Sequence, residues 1–277
     1  MDEKVTLTAH RGYRAKYPEN TMTAFREALK LDVDSIEMDV HMTKDREIVV
    51  IHDPDLRRTT DREGLVRNMT LAQVREADAG IKTGEQFKGE KVPTLDEFLA
   101  LMATRPDIRL LLELKDYPEE VGDFAYVSCE RTVDLLKKYG IWGRDRLTIV
   151  CFSTGICAWL KTRYPFDETV IHGFWPKYLM RGWEKDDPYK YLDEVCLFHD
   201  NRTVDGRNIP APDPVADKCY FDDFKDMKIK PCIYYRFDND AEHYRKALAN
   251  GAIGITSDDA YTCGKILDEL GARKLKK

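Results

Sequence analysis

Short apolar runs rich in β-branched residues alternate along the chain with stretches whose apolar residues recur every three or four positions. Runs of the first kind fall at residues 5–9, 35–40, 48–51, 109–114, 146–151, 169–174, 195–198, 230–235 and 252–256. Between them, residues 21–31 carry Met22, Phe25 and Leu29 at helical spacing, with Asn20 or Thr21 as the N-cap. Thr94-Leu95-Asp96-Glu97 forms a capping box that opens a helix bearing Phe98, Leu101 and Met102 on one side. Strand followed by helix, repeated, is the pattern of βα units around a parallel sheet. Residues 48–51 follow the preceding run across the charged turn 43–46 and read as the returning arm of a hairpin. The remaining runs fill the eight positions of a (β/α)8 TIM barrel. From 53 to 92 the pattern degrades into polar, glycine-containing sequence, expected to be a small insertion after the second barrel strand. The whole chain, 1–277, is expected to be one barrel domain.

Composition narrows the functional class. With 277 residues, 43% of them hydrophobic, the chain can bury a large core unaided. A net charge of −6 without a clustered basic run argues against nucleic acid as a partner. Seven cysteines, none in a C-x-x-C pair, read as reduced thiols and not as a zinc site or disulfide framework. No stretch approaches the ~18 apolar residues of a membrane span, and no signal peptide is visible, so a cytoplasmic location is expected. Oligomeric state is not legible.

Chemistry-bearing residues crowd the ends of the expected strands: His10-Arg11-Gly12, Glu37-Met38-Asp39, His52-Asp53 and Glu113-Leu114-Lys115. The C-terminal strand ends are where barrels of this kind hold their active sites. Because side chains alternate across a strand, Glu37 and Asp39 share one face, as do Glu113 and Lys115. Three carboxylates converging on one mouth repel unless a cation or protons intervene, and all-oxygen ligation suits Mg²⁺ or Ca²⁺. Arg11 and Lys115 add cations suited to a phosphoryl group. His10 and His52 can move protons near neutral pH. Each signal alone has an ordinary structural explanation: a hydrogen-bonded strand-end histidine, or a Glu113–Lys115 ion pair. His41 is expected to be structural, and His172, His199 and His243 to lack supporting partners. Phe174, Trp175, Tyr178 and Trp183 are expected to mark packing.

The combination resembles the glycerophosphodiester phosphodiesterase family. The likeness runs through His10-Arg11-Gly12, Pro18-Glu19-Asn20-Thr21, Ala24-Phe25, Ile36-Glu37-Met38-Asp39-Val40, Thr43-Lys44-Asp45, Val50-Ile51-His52-Asp53, Arg58-Thr59-Thr60, Pro93-Thr94-Leu95 and Glu113-Leu114-Lys115, and loosely Phe152-Ser153. It is dense over the first 115 residues and thin thereafter. The resemblance implies a TIM barrel that binds one divalent cation, Mg²⁺ or Ca²⁺, through Glu37, Asp39 and Glu113. It implies His10 and His52 as the acid–base pair and Arg11 and Lys115 as phosphate ligands. The implied reaction cleaves a small glycerophosphodiester to glycerol 3-phosphate and an alcohol.

The chain departs from the family where a Trp-Thr-Val-Asn strand is usual. Tyr234-Tyr235-Arg236-Phe237 stands there, and alternation places Tyr234 and Arg236 on one face. The usual Ile-Thr-Asp ending reads Ile255-Thr256-Ser257-Asp258, and Asp32 and Arg46 occupy positions where glycine is common. Residues 175–228 follow no familiar pattern. Two alternatives share much of the signal: a sphingomyelinase D-like or lysophospholipase D-like enzyme of the same superfamily, and a non-catalytic binder of phosphate ligands.

Overall fold

A computed structural model describes residues 4–164, 169–197, 202–204, 207–209, 215–238 and 240–273. Its strands are β1 (Thr6–Ala9), β2 (Ser35–Met42), β3 (Ile48–Val50), β4 (Arg109–Leu114), β5 (Leu147–Cys151), β6 (Val170–Trp175), β7 (Glu194–Leu197), β8 (Arg202–Val204), β9 (Arg207–Ile209), β10 (Lys230–Tyr235) and β11 (Gly254–Ser257). Eight of them pair in parallel in the order β1-β2-β4-β5-β6-β7-β10-β11, and β11 returns to β1, closing a TIM barrel. β3 runs antiparallel to β2, with Val40 opposite Val50, as the returning arm of the expected hairpin. β8 and β9 form a separate antiparallel hairpin with no counterpart among the expected strands.

β2 shows why the barrel strands are only partly apolar. All eight of its residues are buried. Ile36, Met38 and Val40 alternate with Glu37 and Asp39, so one face joins the hydrophobic core and the other lines the barrel interior. β4 repeats the scheme with Leu110, Leu112 and Leu114 against Leu111 and Glu113. On the outside, Phe25 of α1 (Met22–Ala28) meets Phe98 of α3 (Leu95–Ala103), their rings 4.5 Å apart. The expected capping box closes α3: Thr94 accepts from the Glu97 amide and the Glu97 carboxylate accepts from the Thr94 amide. α1 is capped by Thr21, which accepts from the Ala24 amide, and this frees Asn20 for another role.

The segment after β3 holds a small core of its own around Leu56, Val66, Val74, Ala77 and Val92, packed on Val49 and Ile51. It includes the short helix α2 (Leu71–Val74). The first βα turn depends on glycine. Gly12 has φ of +80°, and a Cβ there would fall 2.8 Å from the Ala24 backbone. Arg46, in the β2–β3 turn, has φ of 64°, a conformation that explains why glycine is common at that position. Among the described residues no helix is long and apolar enough to cross a membrane.

Candidate active site

Glu37 and Asp39 rise from β2 and Glu113 from β4, with Asp39 and Glu113 paired in register. One oxygen from each lies within 4.8 Å of the others. They are nearly inaccessible, at 4%, 0% and 5% exposure, so each charge must be met inside the protein. Lys115, one step beyond β4, places Nζ 2.5 Å from Glu113 Oε1 and 3.3 Å from Asp39 Oδ1. The turn enforced by Gly12 aims the Arg11 amide at Glu37 Oε2, 3.0 Å away. The Arg11 guanidinium reaches Glu19 at 2.9 Å, and its Nε sits 3.1 Å from Asp39 Oδ2 without being aimed at it. Asn20 donates to Asp39 Oδ2 at 2.8 Å.

Within this buried cluster Glu37 and Asp39 shift in opposite directions. Burial, then the Asp39 charge, push the Glu37 carboxyl well above the ordinary range. Burial also acts to raise Asp39, but Lys115 and Arg11 outweigh it and hold Asp39 well below that range. Glu37 Oε1 and Asp39 Oδ1 are buried without a hydrogen-bond partner. Buried carboxylate oxygens without hydrogen bonds, in an all-oxygen cluster, fit a hard divalent cation.

The two histidines are braced alike. His10 Nδ1 lies 2.5 Å from Asp258 Oδ1, and His52 Nδ1 lies 2.5 Å from Asp53 Oδ1. Each carboxylate favours the tautomer with the proton on Nδ1, leaving Nε2 to exchange protons. Burial, then Arg11, push the His10 imidazole down to about 4, against the pull of Asp258. Asp258 also accepts from Tyr234 at 3.0 Å and from Arg14 at 3.3 Å. His10, Arg11, Glu37, His52, Glu113 and Lys115 line one cavity of about 450 Å³ at the barrel mouth. Asp39 does not line it and lies just behind, held by Arg11, Lys115 and Asn20.

Several functional neighbours were not signalled by the sequence. Glu19 pairs with Arg11, Arg14 and Arg58 at 2.9, 3.0 and 2.7 Å and ties the first βα loop to the insertion. Asp258 follows β11, and no strand alternation points it at His10. His41 is structural as expected: its Nδ1 meets Asp116 at 2.7 Å and its Nε2 the His52 carbonyl at 3.2 Å, supporting the loop that carries His52. The expectation that His172 and His243 lack partners is corrected. His172 meets Glu194 at 3.3 Å across neighbouring strands, and His243 meets Asp238, five residues before it, at 2.7 Å. His199 lies outside the described residues. Phe174 lines the cavity and stacks on Phe152 at 3.5 Å, so it is more than outer packing.

His172, Glu194 and Cys232 also approach one another closely enough to suggest a metal. Burial, however, pushes the Cys232 thiol well up, which makes it a poor ligand. Glu194, despite its burial, is held low by His172 and Arg109. With its charge already met, this group reads as polar packing within the barrel.

The buried carboxylates and braced histidines thus sit at the C-terminal mouth of a closed parallel barrel, where enzymes on a TIM scaffold hold their active sites. Residues 10–262 match the model of the glycerophosphoryl diester phosphodiesterase family, and the chain belongs to that family. A glycerophosphodiester phosphodiesterase of Caldanaerobacter subterraneus subsp. tengcongensis is 40% identical over 151 residues, covering 54% of this chain and 59% of that protein. One from Bacillus altitudinis is 35% identical over 166 residues, covering 60% and 65%. The chain thus spans about three fifths of the length of these curated relatives. An Oleispira antarctica phosphodiesterase, solved in complex with the product sn-glycerol-3-phosphate, superposes with a TM-score of 0.76 at 23% identity, covering 96% of this chain and 97% of that one. The Thermotoga maritima glycerophosphodiester phosphodiesterase does so with a TM-score of 0.65 at 22% identity, covering 96% and 100%. At these identities the structures speak for the fold.

Proposed function

We propose that the chain is a divalent-metal-dependent glycerophosphodiester phosphodiesterase, releasing glycerol 3-phosphate and an alcohol, with His10 and His52 as its acid–base pair. The observation that carries this reading is the single cavity bounded by both carboxylate-braced histidines and the buried carboxylate cluster. Glu37, Asp39 and Glu113 would hold Mg²⁺ or Ca²⁺, a Lewis acid for the phosphoryl oxygens when bound. Lys115 and Arg11, already at the cavity wall, orient the phosphate and offset its charge. Nε2 of one histidine takes a proton from the attacking hydroxyl, and Nε2 of the other protonates the departing alkoxide.

The lipid-cleaving alternatives require room for a long acyl chain. Leu111, Val150, Phe174 and Cys196, which line the cavity, project from barrel strands and so present a floor of packed side chains. The test is release of glycerol 3-phosphate from a panel of glycerophosphodiesters by metal-stripped protein, with and without Mg²⁺ or Ca²⁺. Lysophosphatidylcholine and sphingomyelin run in the same panel. Cleavage of the lipids alone would favour the alternatives, and no cleavage of any substrate would favour a binder.

A further inference from the structure

Every substrate of the proposed reaction shares the glycerol and the phosphate, and only the alcohol varies. Selectivity must therefore come from cavity residues beyond the carboxylate cluster. Five cations line the cavity: Arg11, Arg14, Arg58, Lys115 and Arg236. Four of them are engaged by carboxylates: Arg11 and Lys115 by the cluster, and Arg14 and Arg58 by Glu19 with Asp258 or Asp53. Arg236 is different. Among the described residues no carboxylate pairs with it, and its near neighbour Asp238 is occupied by His243 at 2.7 Å. It follows the end of β10, two positions after Tyr234, so alternation carries it to the mouth, and both residues line the cavity.

A second cavity of about 230 Å³ continues the first outward, sharing Arg14 and Arg58 with it. Its outer wall comes from the insertion, through Thr59, Lys82 and Thr83, and from Phe237 beside Arg236. Phe237 is 56% exposed, as a residue flanking an open groove would be. The ammonium of Lys82 hydrogen-bonds only the Arg57 carbonyl among the described residues. The one carboxylate lining this groove, Glu19, is already shared by three arginines. The path out of the site therefore carries surplus positive charge from Arg236 and Lys82.

We propose that Arg236, assisted by Lys82, is the specificity-determining site for the alcohol half of the substrate and selects glycerophosphodiesters whose alcohol bears a second anionic group, a phosphate or carboxylate. The inference rests on the activity proposed above. Arg236 stands where the usual family strand carries no cation, and its planar guanidinium can grip a phosphate with two parallel hydrogen bonds. Rim charges of this kind act through salt-sensitive attraction.

The test compares kcat/KM for three substrates: bis(glycerophospho)glycerol, whose leaving alcohol is anionic; glycerophosphoglycerol, whose alcohol is neutral; and glycerophosphocholine, whose alcohol is cationic. Wild type should prefer the first over the third, with the preference shrinking as salt rises. R236A should lower that ratio by roughly threefold to tenfold, chiefly through KM. R236K should keep part of it, R236E should reverse it, and K82A should lower it more weakly than R236A. A ratio unmoved in folded R236A and R236E, with cleavage of glycerophosphoglycerol still measurable, overturns the proposal. If wild type cleaves none of the three, the activity reading fails, and this inference falls with it.

Discussion

Oδ1 of Asp258 lies 2.5 Å from Nδ1 of His10, across 248 residues of chain. Asp258 is fully buried at the end of the last barrel strand, His10 ends the first, and the closure of the barrel brings them together. The carboxylate favours one tautomer and ring orientation of His10, which makes Asp258 a positioning residue in the proposed mechanism. D258N should lower kcat by roughly 10–100-fold, the usual scale for a group that orients a functional histidine. KM and calorimetric Mg²⁺ affinity should change little. A parallel loss of metal affinity would mean that the substitution had disturbed the whole mouth.

If the carboxylate cluster holds the cation as proposed, metal binding is a proton-linked event. Glu37 is pushed well above the ordinary range by burial and then by Asp39, so a cation must displace its proton. Affinity for Mg²⁺ or Ca²⁺ should tighten as rising pH removes the Glu37 proton. Titrations in buffers of different ionisation enthalpy should register proton release. E37Q should abolish both metal binding and proton release, while the metal-free variant unfolds at a temperature equal to or above that of wild type. E113Q should also lose affinity and rate. Metal binding with no dependence on pH would contradict this account of Glu37.

Glu19 should dominate the acid sensitivity of the first βα loop. Burial alone would raise its pKa, but Arg58, Arg11 and Arg14 together bring it down to about 2. A carboxylate depressed in the folded state contributes stability above its unfolded value, about 4.3, and loses that contribution as pH falls toward the folded one. The window is therefore about pH 2 to 4.5. A shift of this size corresponds to a contribution on the order of 3 kcal/mol. E19Q should be destabilised most at pH 7, and its deficit in urea unfolding should shrink as the pH is lowered toward 3. A constant deficit across that range would assign its effect to packing and not to charge.

What the sequence revealed and what it hid follow one physical rule. His10, Glu37, Asp39, Glu113 and Lys115 lie in or beside strands, where a period of two dictates which side chains share a face. The barrel strands could be read for the same reason, and the hairpin arm at β3 from its charged turn. Asp258 stands out in the sequence only as an altered strand ending, because the alternation stops at Ser257 and closure of the barrel alone sets it beside His10. Of the two expected caps, Thr21 serves the helix and Asn20 serves Asp39, while Glu19, next to them, gathers the arginines, a role that helical spacing does not signal. Arg236 was legible as an oddity on a late strand, but its lack of a carboxylate partner needed the folded surroundings.

The last prediction concerns how the two histidines divide the reaction. A phosphodiester anion resists attack by water, whereas the glycerol 2-hydroxyl already lies beside phosphorus. Using that hydroxyl makes the attack intramolecular, a gain that reaches about 7–11 kcal/mol when the alignment is good. His10 and His52 line the same cavity, each with Nδ1 held by a carboxylate. Nε2 of one can take the hydroxyl proton while Nε2 of the other protonates the departing alkoxide. The roles then reverse when water opens the cyclic phosphate. H10A and H52A should each slow turnover by roughly 10²–10⁴-fold while largely retaining metal. The double variant should lose less than the product of the two, because groups acting on one proton circuit are not independent. Phosphorus NMR should detect the cyclic phosphate during turnover, and a 2-deoxy substrate should bind without being cleaved. Rapid hydrolysis of that analogue would rule out the cyclic route, and near-normal rates in both alanine variants would rule out the pair.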